Sequence, residues 1–364
     1  MRKVLALAAV VLAFHAEAAP NPAAPRTPVA AALAGPAPEY KIVTASERGT
    51  YIVLGRDLAT NVAPDAGIEL EALPSAGSAE NIRRLRYEPG VKMAIVQSDV
   101  YQAFLDEAAN GNKEAGTIIR PLRVILPLYD EEIYWVVRAD APMNFIHEVK
   151  DARINAGPIG SGTALTALTM YQAMFRTPLP RGSTTYLSNE DALLKLTTNQ
   201  GVDVVVIVGG QPMKLLADMK PEAKQLIKML RVDPPNPATR EILKTYFTAT
   251  VRQSSYPNLL SEDLPGLAVK AFLVTYDYNL NQTTQYLRRF ARSLCNNMPT
   301  LRAQGHPKWN SVELSLPELG EGWTYYPVTA REIQNCSAAR PASKRPANAA
   351  CSQVELVLGL CSKP

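Results

Sequence analysis

The chain has 364 residues, 47% of them hydrophobic, with a formal net charge of +4. That length and hydrophobic content suit two domains with real cores. The Lys and Arg residues are scattered, with no basic block interleaved with aromatics, which speaks against nucleic acid as a partner.

Arg2 and Lys3 precede the apolar run 4–14, and Ala16, Glu17 and Ala18 form a small-x-small cleavage site, so residues 1–18 read as a secretory signal peptide. The run is too short to cross a bilayer, and no other stretch approaches the roughly 20 apolar residues that a span requires. No Cys follows it, so no lipid anchor is indicated. The mature chain is expected to be exported and soluble, after a Pro- and Ala-rich leader over residues 19–38.

From Tyr40 onward a phrase repeats three times. Residues 40–45 read as a strand, followed by a loop and a helix carrying Leu54, Leu58 and Val62, with Thr50 as its N-cap. Residues 68–73 then lead through Pro74, Ser75, Ala76, Gly77 and Ser78 into a helix with Ile82 and Leu85. Residues 92–97 lead through Ser98 and Asp99 into a helix with Tyr101, Phe104 and Leu105. Strands alternating with helices imply a mainly parallel sheet, whose ligand crevice lies beyond the carboxyl ends of its strands. The three loops share that end.

Residues 122–129 and 133–138 read as two strands that carry the chain into a second domain, joined by Asp130, Glu131 and Glu132 as a solvated charge run. A polar strand over 152–157 then meets the glycine-rich loop 157–163, which opens a helix with Leu165, Leu168, Tyr171 and Phe175. The loop has two readings, a plain helix cap or an anion site. It lacks the Lys of a nucleotide-binding P-loop. Residues 203–208 form a continuous β-branched run suited to a strand buried on both faces, ending at Gly209 and Gly210. Residues 267–276 are apolar enough to be the strand returning to the first domain, and residues 283–292 read as a helix.

These elements predict an α/β fold with two domains joined by crossing strands around a ligand cleft. The first domain covers 39–135 and 249–300, the second 136–248, and a C-terminal extension covers 301–364. The extension is expected to wrap the outside of the first domain. Cys295, Cys336, Cys351 and Cys361 all lie near or within it, and an even count in an exported chain favours disulfides, with three full pairings open.

The sequence offers no nucleophile elbow, zinc motif or paired carboxylates on one helix face, so no enzyme, metal or cofactor is implied. Asp99 reads as a helix cap. The loops offer instead hydroxyls, amides and helix N-termini, which suit a small anion such as a carboxylate. Arg48 is the one guanidinium within a candidate loop that can grip such a group; a solvent-exposed loop Arg is the other reading of it.

Residues 45–51 with Gly55, residues 74–81, residues 95–99, residues 157–163 and residues 208–212 stand in an order that resembles the TAXI group of periplasmic solute receptors, which serve tripartite ATP-independent periplasmic (TRAP) transporters. The resemblance spans about residues 40–280. It implies a type II periplasmic-binding fold that closes over a glutamate-like amino acid or dicarboxylate and delivers it to a membrane permease. It places Ser46, Arg48, Gly49, Thr50 and Tyr51, then Ser75, Gly77, Ser78, Gln97 and Ser98, on the first-domain side of the ligand. Ser161, Gly162, Thr163 and Gly209 would face them from the second. Glu47 and Arg48 stand where the group has small residues, and Ile52 replaces an aromatic, which alters the first loop. A sensory protein reporting to a membrane receptor through the same closure is the alternative.

Overall fold

The structure is a computed structural model and describes residues 36–47 and 49–339. The expected signal peptide, nearly all of the expected leader, Arg48, Cys351 and Cys361 lie outside the described residues.

The elements run in the order β1 (Glu39–Val43), α1 (Thr50–Asn61), β2 (Glu69–Leu73), α2 (Ser78–Tyr87), β3 (Val91–Gln97), α3 (Val100–Ala109), α4 (Lys113–Ile119), β4 (Leu122–Arg138), β5 (Ile154–Asn155), α5 (Gly162–Phe175), β6 (Thr184–Thr185), α6 (Asn189–Thr197) and β7 (Val204–Gly209). Then follow α7 (Lys214–Ala217), β8 (Ile227–Met229), α8 (Pro237–Ile242), β9 (Phe247–Val251), β10 (Leu264–Tyr276), α9 (Asn281–Gln304) and α10 (Pro327–Ala339). Among the described residues no helix is long and apolar enough to cross a membrane.

The strands hydrogen-bond in the order β2-β1-β3-β10-β4-β7-β5-β6, with β8 on β4 and β9 on β10. The expected parallel pairing holds in the two wings, where β1 pairs with β2 and β3, and β5 with β6 and β7. The middle departs from it. There β10 runs antiparallel to β3, β4 and β9, and β4 antiparallel to β7 and β8. The reason is the path of the chain, which leaves the first lobe along β4 and returns along β10, so these two strands run in opposite directions through both lobes. Residues 122–138 accordingly form one long strand rather than the two expected.

Strand alternation divides the core. In β3, Met93 and Ile95 join one apolar cluster while Ala94 and Val96 join another on the opposite face. In β7, Val204 and Val206 face one cluster of the second lobe, and Val205 and Ile207 the other. The β-branched run is therefore buried on both faces, as its composition predicted. The architecture is the two-lobed α/β fold with crossing strands.

Three local expectations are corrected. Gly49, not Thr50, is the N-cap of α1, and Thr50 is its first helical residue. Asp130, Glu131 and Glu132 do not form a solvated connection, because they lie inside β4, and Glu131 and Glu132 are buried. The helix expected over 283–292 continues through Cys295 and past Pro299 to Gln304. Beyond it the chain enters the first-lobe core instead of only wrapping it. Trp309, Val312, Leu314, Tyr326 and Ile333 belong to the cluster that holds α1 and α9, and a disulfide joins Cys295 in α9 to Cys336 in α10.

Candidate functional site

The two lobes meet where helices start. At Gly77, the N-cap of α2, the backbone adopts φ 138° and ψ −159°, a conformation open essentially to glycine alone. A Cβ there would stand 3.0 Å from the amide nitrogen of Gly162 and 3.2 Å from the carbonyl oxygen of Gly160. The first turn of α2 therefore abuts the first turn of α5, N-terminus to N-terminus. Both ends carry partial positive charge and unpaired amide groups. Gln97 presses into the same junction, because a Cβ on Gly162 would fall 1.7 Å from its Oε1. That oxygen is buried and has no hydrogen-bond partner.

One turn farther along α5 a buried carboxylate joins the lobes. Asp99 Oδ2 accepts hydrogen bonds from Thr166 Oγ1 at 2.7 Å and from the Tyr246 hydroxyl at 3.1 Å. The helix-cap reading of Asp99 is thus corrected. It occupies the N-cap position of α3, but its side chain makes no capping bond. The buried hydroxyls of the opposite lobe outcompete the local amides. Its second oxygen, Oδ1, is also buried and without a partner. Gly162 and Thr166 are four residues apart on one helical face, so Gln97 and Asp99 confront the same side of α5.

A second buried carboxylate lies at the crossing of β4. Glu131 accepts from the Tyr51 hydroxyl at 2.6 Å and from the Tyr129 hydroxyl at 3.4 Å. Burial pushes Glu131 up to about 7 and Asp99 up to about 6. Burial also raises Glu132, whose carboxylate accepts from the backbone and side chain of Gln211. Groups raised in the folded state bind protons more tightly there than in the unfolded chain, so their stabilisation is full below pH ~4 and is lost as pH rises through ~6–7. The melting temperature at constant ionic strength is therefore expected to fall between pH 5 and 8. Glu131→Gln and Asp99→Asn should each flatten that fall, by on the order of 1 kcal/mol. A melting temperature that climbs steadily to pH 8 would contradict the assignment.

The residues singled out in the sequence divide into three groups. Gly77, Gln97 and Gly162 are drawn to the lobe junction, and Tyr51 to Glu131 at the β4 crossing. The hydroxyls of Ser75, Ser78, Ser98 and Ser161 hold loops in place. Ser75 Oγ accepts from Gly77 N, Ser78 Oγ from Gln97 N, Ser98 Oγ from Lys270 N and Ser161 Oγ from Ala164 N. Thr50 reaches the Tyr129 hydroxyl, the carbonyl oxygen of Ser46 accepts from Gly49 N, the side chain of Thr163 lies under Gly157, and Gly209 ends β7 opposite Glu132.

Sequence reasoning missed Thr166, Tyr246 and Lys308. The Lys308 ammonium donates to the carbonyl oxygen of Gln211 at 2.8 Å and stands 5.3 Å from the centre of the Tyr129 ring. Nothing in the local sequence marks Lys308. Glu131 did leave a signal, since Tyr129 and Glu131 share a face of an apolar strand at a spacing of two. Among the described residues no group of three or more His, Cys, Asp or Glu side chains is placed to hold a metal ion.

A model of the NMT1-like family matches residues 42–316. Among solved structures, a TctC solute binding protein from Polaromonas aligns at 17% identity and a TM-score of 0.40, covering 82% of this chain and 96% of its own. The periplasmic binding protein BugD aligns at 15% and 0.44, covering 82% and 94%. The arginine-, lysine-, histidine-binding protein ArtJ from Geobacillus stearothermophilus aligns at 12% and 0.43, covering 77% and 97%.

Proposed function

The chain belongs to the NMT1-like family, and from that premise we propose that it is an exported solute receptor of the TAXI kind. It closes two lobes, divided near residues 135 and 249, over a small organic acid and passes that acid to a TRAP-type permease in the membrane. It performs no chemical step on its cargo.

The observation that carries this reading is the meeting of α2 and α5 by their N-termini across the lobe junction. Two positive helix ends repel, and a negative charge between or beside them relieves that repulsion, by about 0.3–1 kcal/mol per helix and up to ~2 when partly buried. Micromolar affinity needs about 8 kcal/mol, so helix ends alone are insufficient. Closure supplies the rest, by adding contacts from both lobes and excluding water. The Asp99 bridge to Thr166 and Tyr246, and Leu165 of α5 packing in a first-lobe cluster, are the contacts by which a closed state is held.

The test is calorimetric titration of the mature protein, stripped by unfolding and refolding, with succinate, 2-oxoglutarate and L-glutamate. X-ray scattering of the same samples reads closure. At least one acid is expected to bind at micromolar concentration and to reduce the radius of gyration. Heat-silent titrations with unchanged scattering from folded protein would reject the reading.

A further inference from the structure

We propose that Lys308, on the segment that follows α9, is the cation that receives the acid group of the solute, within the cavity between that segment and the loop after β7. The proposal rests on the organic-acid reading above. It also assigns a ligand contact to a part of the chain expected only to wrap the first lobe.

The cavity holds about 530 Å³ and is walled by Tyr129 and Glu132 of β4, by Gln211 after β7, by Arg252 after β9, and by Lys308 and Ser311 of the C-terminal segment. Lys308 is held rigidly at its rim. Its neighbour Trp309 is fully buried and donates its indole N–H to Asp57 Oδ2 at 2.7 Å, and His306 donates its backbone N–H to the same oxygen at 2.8 Å. An oxygen of α1 thus clamps the chain on either side of Lys308. A pre-positioned cation loses little conformational entropy on binding.

The ammonium has three N–H donors. One is engaged by the Gln211 carbonyl and the others are available. The carboxylates around it are otherwise committed. Asp130 pairs with Lys270 at 2.9 Å, and Glu132 accepts twice from Gln211, each at 2.7 Å. Glu131 is bonded to Tyr51 and Tyr129. Among the described residues Lys308 forms no ion pair within 4.0 Å, and neither does Arg252 of the same cavity, whose backbone N–H is tied to Gln211 Oε1 at 3.0 Å. Glu313 is the further carboxylate of the cavity, on the same segment as Lys308. Partial burial pulls the Lys308 pKa down, while Glu132, Glu131 and Asp130 pull it back up.

Two uncommitted cations lining one polar cavity of this size suit a small carboxylate. Its acid group would sit on Lys308 and be reached by Arg252, and Ser311 is at hand for a second polar group. The Tyr129 ring under the ammonium supplies a wall that does not compete for the remaining donors.

The experiment titrates the full mature protein with succinate, 2-oxoglutarate and L-glutamate at several salt concentrations, with Lys308→Gln, Lys308→Arg and Arg252→Gln beside the wild type. Lys308→Gln is expected to weaken the best-binding acid at least tenfold and to reduce the salt dependence of binding. Lys308→Arg should restore most of both, and Arg252→Gln should give a smaller loss of the same kind. Affinity unchanged in Lys308→Gln overturns the assignment while leaving the receptor reading in place. A loss of affinity with the wild-type salt dependence also overturns it, because that would make Lys308 a latch between lobes through the Gln211 carbonyl. If the wild type binds none of the three acids, the organic-acid reading fails and the assignment falls with it.

Discussion

Replacing Trp309 by Ala is expected to cost about 4 kcal/mol of stability and to lower the melting temperature by roughly 10 °C. The indole is fully buried in the cluster shared with α1 and α9, so truncation leaves a cavity that the surrounding helices cannot close without moving the sheet. It also removes one of the two N–H groups that satisfy Asp57 Oδ2. Trp309→Phe keeps most of the packing and should cost about 1–2 kcal/mol, which separates the hydrogen bond from the volume. Circular-dichroism melts of the three proteins decide the matter. A shift below 2 °C for Trp309→Ala would mean that the C-terminal segment merely lies on the first lobe. The prediction bears on function as well, since the same Asp57 clamp sets the position of Lys308.

Gly77→Val should weaken solute binding on the order of 100-fold, about 2.7 kcal/mol, while leaving both lobes folded. A β-branched residue is strained at φ 138°, at a cost of about 1–3 kcal/mol. Its Cβ would also press on Gly162 N, Gly160 O and Ser161 Cα of the opposing loop, at 3.0, 3.2 and 3.3 Å. Those are backbone atoms and cannot rotate away as a side-chain tip would. Separating the lobes relieves the contact, so the substitution penalises the closed state more than the open one. Gly90→Ala is the control. It too sits at positive φ, 82°, but its Cβ would meet nothing nearer than 3.7 Å and no atom of the second lobe. It should lose stability with affinity intact. Scattering should find Gly77→Val expanded at acid concentrations that compact the wild type. Equal affinity for Gly77→Val and wild type would show that closure at this junction contributes nothing to binding.

Much of the fold was legible because burial leaves a local period. The spacing of Leu54 and Leu58, of Ile82 and Leu85, and the unbroken run 204–208 each record how one element meets the core, and each can be read from its own few residues. The glycine loops were legible for a similar reason. A helix that starts at the end of a strand needs a residue such as Gly77 or Ser161 at its first turn, whatever packs above it.

What only the tertiary structure decided are pairings between residues far apart in the chain. Asp99 has the spacing of a helix cap, and no local signal tells that Thr166 and Tyr246, 67 and 147 residues away, offer it better donors. Glu131 and Glu132 look like a solvated run because charge is read as exposure, yet a strand that crosses between lobes buries whatever it carries there. The hydroxyls of Ser75, Ser78 and Ser98 suggested ligand donors, whereas folding directs them to backbone amides, Ser75 to Gly77 in its own loop, Ser78 to Gln97 at the end of β3 and Ser98 to Lys270 of β10. Lys308 is the plainest case. Its sequence neighbours fix only a short turn, and it reaches Gln211 and the ring of Tyr129 because Asp57, 249 residues before His306, holds that turn against α1. Periodicity determines which face of an element is buried, while the identity of what it is buried against depends on the whole chain packing at once.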